Sequence, residues 1–184
     1  MESESHWLWL FNTESGKLSV KLSDTDVFDT PYKPSQLVNI HFNEQMMDIE
    51  DATTFQIVSE TLEAYPADKM PCAPQNAALN ATAWCRFGRP QMPQSWHFQK
   101  SDISEWPLER RLCELNSGFD QGLFLILDTD DEFATCLLLS EGMQLSAIKS
   151  LRQYHVIKVT LNRLLPATVD LALSAHSNWG QQLA

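Results

Sequence analysis

The chain has 184 residues, of which 43% are hydrophobic and 20% are charged, and this is the composition of an ordinary globular protein rather than a disordered one. Its 24 acidic residues outnumber its 13 basic ones, and the net charge of −11 argues against broad contact with nucleic acid or an anionic membrane. The start, Met1 to Ser5, is acidic and polar, unlike a secretory signal or a transit peptide. The longest apolar runs are about six residues, far below the roughly 20 that a membrane span needs. We therefore expect a cytoplasmic protein of one domain or two small ones.

The first segment, residues 7–22, predicts a β-hairpin. An aromatic and aliphatic run is followed by turn residues at 14–16, where Gly16 can adopt a positive φ. After the turn, apolar and polar residues alternate, which places one face on a core. Residues 23–36, rich in aspartate and proline, predict mainly loop, and residues 36–42 predict another short strand.

Two helices are predicted next. Apolar residues recur at helical spacing from Phe55 to Tyr65, and Pro66 ends that helix because it has no backbone N–H to donate. A second helix is predicted from Pro74 to Gly88, which suit a first turn and a C-terminal stop. Its small residues cover much of its circumference, so we expect it to pack closely against the hairpin.

The spacing of the apolar residues changes from Pro90 onward, where helical spacing is almost absent. A short polar segment, Asp128 to Asp131, predicts a hairpin turn between two strands. A run of short strands without helices favours a small sandwich or barrel, so we place a domain boundary near Pro90–Pro93. The predicted strands are 96–99, 111–115, 123–127, 133–139, 156–161 and one over 169–173.

Patterns for catalysis and cofactor binding are missing from the sequence. There are six glycines, with neither of the usual phosphate-binding glycine motifs and no GxSxG motif, and the five histidines show no HxxxH spacing. Asp128, Asp130 and Glu132 resemble the start of a calcium loop, but Phe133 stands where the loop needs glycine, which favours a solvated turn. We expect no enzyme, no cofactor and no metal.

The cysteines give no zinc or redox pattern either, since no CxxC pair occurs. We expect them to be reduced and mostly buried as small hydrophobic side chains. They are Cys72, Cys85, Cys113 and Cys136.

The segment from Gly88 to Phe98 stands apart from the rest. Pro90 and Pro93 each force the preceding residue away from helix, and an apparent strand, Trp96-His97-Phe98, follows at once. From its residues alone, this segment can equally well be a stiff joint between two domains with no further function. Tryptophans are core residues in most settings, but they also dominate interface hot spots, and both interpretations stay open here.

The nine residues Pro90-Gln91-Met92-Pro93-Gln94-Ser95-Trp96-His97-Phe98 are similar to the signature of the cell division protein ZapC family. Trp7-Leu8-Trp9, the helix around Asn80 and the segment from Ile157 to Pro166 resemble the family as well, so that the resemblance extends over the whole chain. It implies an α+β protein. Residues 1–89 would form an N-terminal α/β domain, a hairpin plus two helices, and residues 90–184 a small twisted β-barrel-like domain, each with a pocket.

The resemblance also implies a function at the bacterial division ring. Family members bind the globular core of the tubulin-like GTPase FtsZ in its polymeric form, promote lateral interaction of protofilaments, stabilise the Z ring and lower GTPase turnover. A non-enzymatic accessory protein of the cytoplasm, located at mid-cell, is therefore expected. We expect a monomer, and the apolar tail, residues 181–184, would make it a substrate of a cytoplasmic protease.

The site that we predict for FtsZ has an apolar centre and a rim of cations, because filaments of an acidic protein repel one another sideways. Its residues are Arg89, Met92, Trp96, Phe98, Lys158 and Arg163. The family motif carries lysine on both sides of its Pro-Gln-Met-Pro core. Arg89 keeps the first charge here and Gln94 does not keep the second, so the rim is thinner in this chain. Solvated surface charge is the competing interpretation of the three cations.

Two other functions remain open at this point. One is a small-ligand sensor or enzyme that uses a domain pocket, since pockets generally bind small molecules. The other is a passive adaptor that binds FtsZ and leaves its GTPase turnover unchanged.

Overall fold

The computed structural model describes residues 6–103 and 105–167. They form an α+β fold, as predicted, in two units. The first unit comprises residues 6–64 and 73–90, and the second comprises residues 65–72 and 91–167. The predicted division into domains 1–89 and 90–184 remains a prediction. The strand predicted over 169–173 lies outside the described residues.

The first unit contains a four-stranded antiparallel sheet in the order β3-β2-β1-β4. The predicted hairpin is confirmed as β1 and β2, and Gly16 has φ +71° in the turn between them. The strands are β1 (Leu8–Asn12), β2 (Lys17–Lys21), β3 (Val27–Asp29) and β4 (Glu44–Met46).

The sequence prediction fails in three places between the hairpin and the first helix. Strand β4 was not predicted. Strand β3 lies inside the predicted loop, where its three residues pair with β2. The strand predicted over 36–42 is wrong, because the backbone there bonds to the end of a helix instead: the Val38 N–H donates to the Phe87 carbonyl at 2.8 Å.

Two helices pack with this sheet, α1 (Ile49–Glu63) and α2 (Pro74–Phe87). Helix α1 begins before the predicted Phe55 because Asp48 and Asp51 form a capping box. The Asp51 N–H donates to Asp48 Oδ1 at 2.9 Å, and the Asp48 N–H donates to Asp51 Oδ2 at 3.0 Å. Helix α2 begins at Pro74 and is followed by Gly88, as predicted.

Trp9 of β1 is the centre of this unit's core. Its ring is fully buried and meets the Phe87 ring edge-on, with ring centroids 5.0 Å apart. Its Nε1–H donates to Asp51 Oδ2 at 2.9 Å, and Arg86 pairs with the same carboxylate at 3.2 Å. One side chain thus joins the sheet to α1 and α2, and the predicted packing of α2 against the hairpin is confirmed.

The second unit is built on a five-stranded antiparallel sheet in the order β10-β7-β6-β5-β11, with a separate two-stranded ribbon, β8-β9. Four predicted strands are confirmed as β5, β6, β7 and β10, while β8, β9 and β11 were not predicted. The strands are β5 (Leu112–Asn116), β6 (Gln121–Thr129), β7 (Phe133–Leu138), β8 (Gly142–Gln144), β9 (Ser150–Arg152), β10 (Val156–Thr160) and β11 (Leu165–Pro166).

The predicted barrel is not found among residues 91–103 and 105–167. Strands β10 and β11 end an open sheet on opposite sides, so the described strands do not close on themselves. The strand predicted over 96–99 is also wrong, because Ser95–His97 form a single 3₁₀ turn.

The predicted turn between β6 and β7 is confirmed. Asp130 Oδ1 accepts from the N–H groups of Glu132 and Phe133 at 2.8 and 2.7 Å, and these bonds lower the pKa of Asp130. The carboxylate is therefore committed to the turn itself.

One face of the five-stranded sheet carries the second unit's core. It includes Cys113 and Cys136, and burial raises the pKa of the Cys113 thiol well above its usual value. These two cysteines are buried as predicted, whereas Cys72 is half-buried and Cys85 is exposed. Phe98 and Trp106 pack onto the same core from the preceding segment.

Within the described ranges, neither helix has the length and apolar character needed to cross a bilayer.

Candidate functional site

The segment Gln91–Phe98 lies along the outer edge of β10. An edge strand presents backbone groups that have no partner in the sheet. Here the Gln94 N–H donates to the Lys158 carbonyl at 2.8 Å. The Thr160 N–H donates to the Ser95 hydroxyl oxygen at 2.8 Å. The motif therefore covers this part of the edge and is fixed to it.

The chain turns sharply immediately after these contacts. The Gln94 carbonyl accepts from the His97 N–H at 3.3 Å, and the Ser95 carbonyl accepts from the Phe98 N–H at 3.0 Å. Trp96 at the tip of the turn is 72% exposed, whereas Phe98 is 3% exposed and belongs to the core. The turn thus separates two aromatic side chains that are only two positions apart.

Met92 adds a second large apolar side chain to the surface of this segment, and it is 82% exposed. Met92 and Trp96 flank Pro93, which fixes one backbone angle between them. Large apolar side chains that stay exposed on an anchored segment mark candidate contact surfaces.

Lys158 of β10 supplies a cation next to this segment, since its carbonyl accepts from the Gln94 N–H. Its side chain is half-buried, and Nζ lies 4.9 Å from the centroid of the Phe133 ring. An aromatic face holds an ammonium group in place without neutralising its charge.

Arg163 is partly buried and bonds back to this segment. Its Nη1 donates to the Phe98 carbonyl at 2.8 Å, and its Nε is buried with no partner among the described residues. Phe98 and Arg163 therefore hold the end of the segment in place. The exposed part consists of Met92 and Trp96, with Lys158 beside them.

Arg89 belongs to the first unit. Its backbone N–H donates to the Gln36 carbonyl at 2.9 Å, and its Nε donates to the Leu37 carbonyl. The residue remains exposed even so. Of the six predicted site residues, the other five belong to the second unit.

Sequence reasoning missed two residues that matter here, Ser95 and His97. A hydroxyl residue directly before an expected strand was the available signal for Ser95, since such side chains bond to backbone groups. The His97 ring lies 5.4 Å from the Trp96 ring, and its Nε2 is buried without a partner among the described residues. Burial, with Lys149 as a smaller contribution, lowers the pKa of His97.

Two open depressions occur in the first unit. One of about 360 Å³ is lined by residues 10–14 and Asn43, and another of about 300 Å³ is lined by His6, Leu8 and residues 21–24. Among residues 6–103 and 105–167, no three His, Cys, Asp or Glu side chains come together as a metal site.

Comparison with known families decides which family this chain belongs to. The family model "Cell-division protein ZapC, N-terminal" matches residues 1–89, and "Cell-division protein ZapC, C-terminal" matches residues 90–170. The chain belongs to the ZapC family. It is therefore a cell division protein and not an enzyme, and the predicted resemblance to this family is confirmed.

Individual ZapC relatives match nearly the whole chain. The cell division protein ZapC of Vibrio vulnificus is 32% identical over 91% of this chain and 92% of its own length. That of Aeromonas hydrophila is 31% identical over 94% and 96%, and that of Shewanella frigidimarina is 35% identical over 87% and 90%. Each similarity extends over both units.

Proposed function

We propose that this ZapC family member binds polymers of FtsZ through the segment that carries Met92 and Trp96. The observation that carries this proposal is the exposure of both side chains on a segment held to the β10 edge. By binding along protofilaments, the protein promotes their lateral interaction and stabilises the Z ring at the division site in the cytoplasm.

The exposed tryptophan is the main source of binding energy. A tryptophan side chain buries about 150–250 Å² at an interface, worth roughly 4–6 kcal/mol before the entropy of association is subtracted. The 3₁₀ turn holds the backbone of Trp96 before binding, so less conformational entropy is lost when the partner arrives. Trp96 therefore has the features of a binding hot spot.

The cations add electrostatic selectivity. With a net charge of −11, this chain is repelled at long range by an acidic filament, so local positive charge must act at the contact. Lys158 and Arg89 place that charge on the second and the first unit respectively. Phe98 and Arg163 contribute by supporting the segment. Since each unit offers a contact surface, a monomer can bridge two filaments.

The effect on GTPase turnover needs no active site in this chain. FtsZ subunits that are held in a bundled polymer exchange more slowly, so fewer hydrolysis cycles are completed. We also propose that the globular core of FtsZ is the part contacted. The proposed protease signal at 181–184 lies outside the described residues.

Co-sedimentation of FtsZ with GTP and the full chain tests this function. We expect the wild-type chain to pellet with polymers, to increase bundling, and to lower GTP turnover. Trp96→Ala should weaken co-pelleting by about 10- to 100-fold, the range of a hot-spot truncation. Phe119→Ala is the matched control, because Phe119 is 63% exposed in the β5–β6 turn.

Three results would contradict parts of the proposal. A wild-type chain that fails to pellet would rule out polymer binding. Equal losses in the Trp96 and Phe119 variants would rule out the motif segment as the site. Binding with unchanged GTP turnover would identify a passive adaptor instead.

A further inference from the structure

We propose that the Ser95 hydroxyl is a positioning group that holds Trp96 at the surface. This inference rests on the proposed function, in which Trp96 contacts FtsZ. Ser95 itself makes no contact with the partner in this account. It acts through the backbone of β10 and the turn that follows.

The bonding pattern at the β10 edge shows how the hydroxyl does this. If the chain continued as a parallel strand beside β10, the Gln94 N–H would donate to the Lys158 carbonyl and the Thr160 N–H would donate to the Gln94 carbonyl. The first of these bonds is present at 2.8 Å. In place of the second, the Thr160 N–H donates to Ser95 Oγ at 2.8 Å.

The substitution of a hydroxyl for a carbonyl releases the Gln94 carbonyl. That carbonyl then accepts from the His97 N–H at 3.3 Å, which closes the 3₁₀ turn. A serine side chain thus satisfies the strand edge and permits the chain to leave it at the same residue. Without the hydroxyl, the Thr160 N–H and the Gln94 carbonyl would favour each other, and the turn would open toward a strand.

The turn determines which aromatic side chain faces the solvent. In the turn, Trp96 is 72% exposed and Phe98 is buried in the core. Side chains two positions apart in a strand point to the same face, so a strand here would not separate Trp96 from Phe98. The division of roles between these two side chains therefore depends on the turn that Ser95 sets.

Three variants of the full chain test the proposal. Ser95→Ala removes the hydroxyl, and Ser95→Thr retains it. Ser101→Ala is the matched control, because the Ser101 hydroxyl donates to the Asn162 carbonyl at 3.0 Å outside the turn. The readouts are the Trp96 indole N–H resonance, assigned with Trp96→Phe, hydrogen exchange at the His97 amide, and co-sedimentation with FtsZ polymers.

We expect Ser95→Ala to shift the Trp96 resonance, to speed exchange at His97 by more than tenfold because the Gln94 carbonyl no longer accepts from that amide, and to weaken co-pelleting by about five- to twentyfold. Ser95→Thr should restore all three, and Ser101→Ala should change none. An unmoved Trp96 resonance in Ser95→Ala, or binding equal to that of the wild type, would overturn the proposal. If the wild-type chain does not pellet, the proposed function fails, while the indole and exchange measurements still decide whether Ser95 positions Trp96.

Discussion

Trp9 and Trp96 both lie in short aromatic segments, but their surroundings differ in every respect. Trp9 is fully buried, its ring meets Phe87, and its N–H donates to a carboxylate. Trp96 stands at the tip of a turn with 72% of its surface in water. The first tryptophan holds a core together, and the second remains available to a partner.

The positively charged side chains near these segments show the same contrast, between two arginines that stabilise the fold and one lysine that can contact a partner. Arg86 pairs with the buried Asp51 in the first unit, and Arg163 donates to the Phe98 carbonyl in the second. Both are committed to backbone or core partners. Lys158 instead lies over an aromatic ring and keeps its charge available. Positively charged side chains therefore have two roles in this fold, to stabilise it and to offer charge to a partner.

Exposure and bonding, more than residue type, therefore separate structural side chains from candidate contact residues. The expected effects of variants can be ranked on the same basis. Changes in buried side chains should act mainly on folding, and changes at Met92, Trp96 and Lys158 should act mainly on binding.

The largest expected effect is on stability, at Trp9. Trp9→Ala should lower the free energy of unfolding by about 3–5 kcal/mol, because it empties a core site and leaves Asp51 without one donor. Trp96→Ala should lower it by less than about 1 kcal/mol. Urea denaturation followed by far-ultraviolet circular dichroism measures both. Similar losses in the two variants would break the distinction between a core and a surface tryptophan.

The next effect separates Arg163 from Lys158. Arg163→Ala should cost about 1–3 kcal/mol of unfolding free energy, since the Phe98 carbonyl loses a charged donor. Lys158→Ala should cost about 0.5–1 kcal/mol, which is the range of an exposed cation–π contact. In co-sedimentation, Lys158→Ala should weaken FtsZ binding more at low salt than at high salt.

The opposite order of stabilities would place Arg163 on the rim and Lys158 in the supporting layer. Arg163→Lys serves as the control. It retains the charge and loses the guanidinium geometry, so a stability near that of Arg163→Ala would show that the bond to Phe98 matters and not the charge alone.

Local patterns in the sequence were sufficient for most of the fold. The hairpin, α2 and strands β5, β6, β7 and β10 follow from alternation, helical spacing and the residues at turns and helix ends. These signals act between near neighbours in the chain, so they survive without knowledge of the tertiary structure. Strands β3, β4, β8 and β9 have three residues each, too few for a period to emerge.

The candidate site was harder to predict because its geometry depends on distant residues. The sequence Trp96-His97-Phe98 looks like a strand, and only the bonds of residues 94 and 95 to Lys158 and Thr160 turn it away. The motif identified Met92, Trp96 and Phe98 as a group. It could not show that Phe98 is buried or that Arg163 bonds beneath it.

Acidification should act on the second unit through two histidines. Burial, with a smaller contribution from Lys149, lowers the pKa of both His97 and His155. A lowered histidine pKa means that the unfolded chain binds protons first as pH falls below about 6.5, so stability is present above that pH and lost below it. The urea concentration at the unfolding midpoint should therefore decrease as the pH is lowered from 7.5 to 5.5.

Three carboxylates with shifted pKa values do not contribute to the change in stability between pH 7.5 and 5.5. The pKa values of Asp29, Asp48 and Asp130 are lowered from 3.8, so their contributions are lost only at more acidic pH. His155→Gln should flatten the dependence between pH 7.5 and 5.5, and Lys149→Gln should flatten it less. A midpoint that rises on acidification in the wild-type chain would reverse the sign argued here.

The smallest expected effect is a gain of binding at Gln94. Its backbone N–H holds the segment to β10 whatever side chain it carries, so Gln94→Lys should add a cation to the rim without moving the turn. We expect two- to threefold stronger co-pelleting with FtsZ at low salt and no gain at high salt, because an exposed charge is screened within about 10 Å at 0.1 M salt. Gln121→Lys, at the exposed start of β6, adds the same charge elsewhere. If that control strengthens binding as much, the gain reflects net charge alone; if only Gln94→Lys does, the rim next to Trp96 is where the filament makes contact.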